Sequence, residues 1–93
     1  MMQETIEKHL LIKGRVQGVG FRYFTRKRAQ KLGLKGMVKN LSDGNVETIL
    51  IGPPEEVEVM AGLLKSGPPR ARVDEIEELE PTGRTFHEFV VER

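Results

Sequence analysis

The residues best suited to chemistry in this chain are an arginine set behind a glycine-rich turn and an asparagine farther along. Residues 14–22 read Gly14-Arg15-Val16-Gln17-Gly18-Val19-Gly20-Phe21-Arg22. Three glycines in seven positions let a backbone bend sharply and crowd its N–H groups together. A helical pattern starts at Phe21, and a helix start adds further free N–H groups and a partial positive charge. Arg22 falls in its first turn, with a planar guanidinium that matches phosphate oxygens. Backbone donors from Arg15, Val16, Gln17, Gly18, Val19 and Gly20, a helix N-terminus and one arginine make an anion cradle. A phosphoryl group is the anion that fits it best. The glycine spacing is neither G-x-G-x-x-G nor G-x-x-x-x-G-K-[ST], which disfavours nucleotide binding of those two types.

The second group is Asn40, in Gly36-Met37-Val38-Lys39-Asn40. It closes a strand-like run just before a turn. An asparagine there either caps its own backbone or presents its amide to a ligand. An uncharged amide both donates and accepts, so beside a phosphate it can hold a water without the repulsion a carboxylate would add.

The elements that must position these groups can be read from periodicity. Residues 5–13 alternate, with Ile6, Leu10 and Ile12 on one face, and predict a strand. A loop is expected over 14–20 and a helix over 21–32, with Gly33 as its stop. Two strands over 34–41 and 46–51 flank Ser42-Asp43-Gly44-Asn45, a strong hairpin turn. A second helix starts at Pro54 or Glu55, with Val57, Met60, Ala61 and Leu64 as its apolar stripe. Strands over 72–79 and 86–91 complete the chain. The order predicts an α+β, ferredoxin-like βαββαβ sandwich: two helices on one face of an antiparallel sheet, with a short fifth strand at the C-terminus.

Ninety-three residues make one domain, 1–93. The chain has no cysteine, which removes disulfides, thiolate nucleophiles and Cys-type zinc sites. It has no apolar run near the ~20 residues of a membrane span, and its start lacks the shape of a leader peptide. A cytoplasmic protein is expected, with no membrane partner. The net charge of +1 hides an asymmetry: residues 8–40 carry ten basic and no acidic residues, whereas 41–93 carry twelve acids against five bases. The basic part attracts anions. Arg26, Lys27, Arg28 and Lys31 also read simply as a solvated helix face.

Other constellations are weaker. His9 and His87 are isolated, Ser42 and Asp43 belong to the turn, and the carboxylates of Asp74, Glu75, Glu77, Glu78 and Glu80 cannot all converge from alternate faces of one strand. No metal site and no cofactor is expected.

The glycine block together with Gly36-Met37-Val38-Lys39-Asn40 resembles the acylphosphatases, and the similarity extends through Ser42-Asp43-Gly44, Gly52-Pro53 and Gly67-Pro68-Pro69. Met37, where many relatives carry tryptophan, and the final Glu92-Arg93, where a terminal aromatic is common, depart from the pattern without touching the chemistry. The resemblance implies hydrolysis of carboxyl-phosphate anhydrides to carboxylate and inorganic phosphate. It implies that Arg22 binds phosphate, that Asn40 positions water, and that the backbone of 15–20 is the phosphate loop. It points to a small-molecule acyl phosphate as substrate and to phosphate as product and competitive inhibitor. A monomer without nucleic-acid partners is expected, free-standing rather than an accessory domain of a larger carbamoyl-transfer protein. The alternative from another class is a ferredoxin-like RNA- or ligand-binding module without catalysis. It lacks support in the strand aromatics that base stacking needs.

Overall fold

A computed structural model describes residues 4–93. The reading of a leader-free start rests partly on residues 1–3, which lie outside the described residues, as does the first end of the 1–93 domain. The elements are β1 (Ile6–Arg15), α1 (Phe21–Lys31), β2 (Lys35–Asn40), β3 (Val46–Gly52), α2 (Pro54–Ser66), β4 (Arg72–Leu79) and β5 (Phe89–Glu92). They form one sheet in the order β4-β1-β3-β2-β5.

The alternation of β1 sends Leu10 and Ile12 into a core closed by the apolar stripes of both helices. Phe21 and Ala29 of α1 and Val57, Met60 and Leu64 of α2 are buried there with Val38, Val46 and Leu50. Each large side chain so buried contributes about 1.5–3 kcal/mol. Helix α1 ends as its sequence predicts. Gly33 at φ 73° lets its own N–H reach Gln30 O, while Leu34 N–H reaches Ala29 O, and Leu34 packs into the core.

Two features differ from the sequence reading. Gly14 and Arg15 lie in β1 rather than in the loop. The register slips between Lys13 and Gly14, leaving an extra residue in β4 opposite Gly14. A side chain at Gly14 would put a Cβ 2.2 Å from Arg72 O, and its φ is 134°. Only glycine lets the two backbones close so tightly.

The C-terminal strand is also shorter than the expected 86–91, and the sheet is mixed rather than wholly antiparallel. β4 and β5 occupy opposite edges, so the chain over 80–88 must cross the sheet before β5 can begin. It crosses the face without helices. Glu7 accepts hydrogen bonds from the N–H groups of Thr82 (2.7 Å) and Gly83 (3.0 Å), and His9 Nδ1 lies 2.9 Å from Glu80 O. β5 then pairs parallel to β2, with Phe89 buried.

Candidate active site

The topology itself brings the two candidate groups to one end of the molecule. β1 and β2 both pair antiparallel with β3, so they run the same way and their C-terminal ends lie at the same end of the sheet, one on each side of β3. The loop over 16–20 leaves the first of these ends, and Asn40 is the last residue of the second. Ile12, Val46 and Asn40 stand in register across the three strands, which places Asn40 on the face that carries α1.

The loop is rich in free donors. Among the described residues, none of the N–H groups from Gln17 to Tyr23 has a protein acceptor; the first bond of α1 is Phe24 N–H to Gly20 O at 3.0 Å. Gly20 occupies the N-cap at φ 80°, ψ 20°, without a side-chain cap, and the first turn holds no acid. A serine or aspartate cap would have occupied those donors with its own oxygen. Glycine leaves them open and supplies the left-handed turn.

Val16, Gly18, Gly20, Arg22, Asn40 and Val91 border a single cleft of about 300 Å³, to which Phe21, Tyr23, Arg26 and Arg93 also contribute. Among the described residues no acidic side chain lines it. Arg22 has no carboxylate within ion-pairing distance among the described residues. Asn40 Oδ1 is buried and accepts no hydrogen bond from the protein. A buried acceptor left open costs about 1–3 kcal/mol, and such groups mark places where a ligand completes the bonding. Asn40 therefore does not cap its own backbone through this oxygen; the hairpin turn is held instead by Asp43, which accepts from Asn45 N–H at 3.0 Å. Of the sequence-derived loop residues, Val16, Gly18 and Gly20 line the cleft, and Arg15, Gln17 and Val19 are not among its lining residues. Val19 is turned into the core.

Gln17 has a part the sequence reading did not give it. Its side-chain amide donates to Leu41 O at 2.8 Å and to Asn45 O at 2.9 Å, the two carbonyls that flank the hairpin turn after Asn40. One side chain thus ties the loop to the element that carries Asn40. Tyr23 and Arg26 were also missed as cleft residues. For Arg26 the i+4 spacing from Arg22 was the available signal; Tyr23, at i+1, had none.

The remaining sequence candidates lie elsewhere. His9 is packed, with Nε2 2.6 Å from Glu47 Oε2, and His87 is exposed. The carboxylates of β4 pair with surface cations: Glu78 with Lys8, Glu75 and Glu77 with Lys13, and Asp74 with Arg72. Among the described residues no group of three His, Asp or Glu side chains is arranged to hold a metal, and no helix is long and apolar enough to cross a membrane.

Comparison with known proteins points one way. The sequence model of the acylphosphatase family matches residues 8–91. An acylphosphatase of Actinobacillus succinogenes is 44% identical over 89 residues, covering 95% of this chain and 99% of that protein. The crystal structure of acylphosphatase from Bacillus subtilis superposes with a TM-score of 0.89 at 34% identity, over 97% of this chain and all of that one. Full-length HypF, in a phosphate- and nucleotide-bound form, matches all of this chain with a TM-score of 0.86 and 32% identity, over 12% of its own length.

Proposed function

We propose that this chain, a member of the acylphosphatase family, hydrolyses acyl phosphates to carboxylate and inorganic phosphate by direct attack of one positioned water. The observation that supports the proposal is that Asn40, whose buried Oδ1 has no partner among the described residues, borders one cleft with Arg22 and with Gly18 and Gly20 of the donor-rich loop.

An acyl phosphate loses a carboxylate, a leaving group that departs without a strong acid. Phosphoryl transfer passes through a loose transition state, so the protein has mainly to position the group and stabilise its charge. In this reading Arg22 and the backbone of 15–20 hold the phosphoryl oxygens, and the start of α1 adds its dipole. Asn40 accepts a hydrogen bond from a water through Oδ1 and aims its oxygen in line with the P–O bond that breaks. The water oxygen bonds to phosphorus as the carboxylate leaves with the bonding pair. The water's proton passes to a phosphoryl oxygen, since among the described residues no acidic or imidazole side chain lines the cleft to take it. No phosphoenzyme forms, and neither a metal nor a cofactor takes part. We place the protein in the cytoplasm as a monomer, with phosphate as product and competitive inhibitor.

The test is phosphate release from a synthetic acyl phosphate in excess EDTA. Turnover undiminished by the chelator is expected. Absence of turnover, or turnover restored only by added metal, overturns the mechanism.

A further inference from the structure

We infer that Arg26 forms a second anion subsite, which makes acyl phosphates with a further negative group on the acyl part the preferred substrates. The inference rests on the acylphosphatase reading and extends it to the part of the substrate that departs.

Arg22 and Arg26 are four residues apart on α1, so they share a face and stand about 6 Å apart along the helix axis. Both border the cleft, and both are half-buried, whereas Lys27 and Arg28 between α1 and solvent are exposed. Two neighbouring cations on α1 are engaged. Lys27 Nζ donates to the Tyr23 hydroxyl at 3.2 Å, and the Arg28 guanidinium lies over the Phe24 ring at 4.1 Å from its centroid. Arg26 has neither a carboxylate within ion-pairing distance nor an aromatic ring beneath it, among the described residues. It is thus an open guanidinium in a cleft that no acidic side chain of the described residues lines, one turn beyond the arginine assigned to the phosphoryl group.

Its position also selects a size. With the phosphoryl group at Arg22 and the loop, the acyl carbon must leave toward open cleft. An anion about 6 Å from phosphorus then falls within reach of Arg26. A dicarboxylic acyl phosphate with a two-carbon spacer has that span, and so does an acyl phosphate ending in a phosphonate. Acetyl phosphate has nothing to offer at this distance. The chemistry recognised is a second anion; carboxylate and phosphonate satisfy it through the same fork.

The experiment compares kcat/KM for succinyl phosphate, for a synthetic acyl phosphate ending in a phosphonate, and for acetyl phosphate, in the wild type, Arg26→Gln and Arg26→Lys. The ratio of each anionic substrate to acetyl phosphate is the readout, so a general loss of activity cancels. A charge-assisted hydrogen bond predicts a ratio about tenfold higher in the wild type than in Arg26→Gln. Arg26→Lys keeps the charge without the fork and should retain part of the preference. Whichever anionic substrate shows the larger ratio identifies the group the subsite favours. Ratios within twofold of wild type in Arg26→Gln overturn the inference, as does a preference lost equally in Arg26→Lys. If the wild type turns over none of the three substrates, the acylphosphatase reading itself falls, and this inference with it.

Discussion

Replacing Asn40 by alanine separates a catalytic role from a structural one. The side chain carries an acceptor that is buried and unbonded by the protein, a defect worth about 1–3 kcal/mol. Removing it relieves that cost and forfeits the packing of one amide, about 1 kcal/mol. The two nearly cancel, so Asn40→Ala should be as stable as the wild type within about 1 kcal/mol, or more stable. For a domain of this size, 1 kcal/mol corresponds to about 4–8 °C in Tm. Turnover should fall far more steeply. Loss of one preorganised group at a reacting centre costs about 2.7–4 kcal/mol, or a hundred- to thousandfold in kcat. Thermal melts followed by circular dichroism, together with phosphate release at saturating acyl phosphate, measure both quantities on one preparation. A variant that melts more than about 10 °C lower yet keeps most of its kcat would make Asn40 a structural residue and refute the reasoning.

Arg22→Ala should lose inorganic phosphate binding by calorimetry while Asn40→Ala keeps it, because only the arginine is assigned to the anion; equal affinities in both variants would reject that division. Gly14→Ala should destabilise by roughly 3–5 kcal/mol in urea titration, since its Cβ would meet Arg72 O at 2.2 Å at a φ of 134°; a loss below 1 kcal/mol would mean the bulge relaxes freely. Burial pushes the Glu7 carboxyl up, but hydrogen bonds from Thr82 and Gly83 and the nearby His9 outweigh it and hold the group below its ordinary value of 4.5. Its stabilising effect is therefore complete above about pH 4.5 and fades as pH falls through the lower folded-state value. Glu7→Gln should flatten the acid limb of a stability profile below that pH, and an unchanged limb would show that the bonds to residues 82 and 83 contribute nothing.

The helices and four of the strands were legible because their patterns are local. The stripe of Val57, Met60 and Leu64 and the stop at Gly33 each follow from residues a few positions apart. The part of β1 beyond Lys13 was not, because Gly14 is a strand residue only by virtue of the bulge in β4, far away in sequence. The same holds for β5. Whether residues 81–84 reverse the chain into a neighbouring strand or begin a traverse depends on which sheet edge is vacant, and no short window of sequence carries that information. At the site, Arg22 and Asn40 were visible as residue types beside glycine and turn signals. The bonds of Gln17 to Leu41 and Asn45 were not, since they join segments that become adjacent only when β3 inserts between β1 and β2.

That same glutamine has a mechanical consequence. A carboxamide that grips both shoulders of the hairpin yokes the loop to the strand end, so under the proposed roles one short strut helps to set the spacing between anion seat and water holder. Thermal breathing at either place drags the other along. Misalignment of the reacting partners thus requires the two segments to come apart from each other, and drifting together leaves their separation intact.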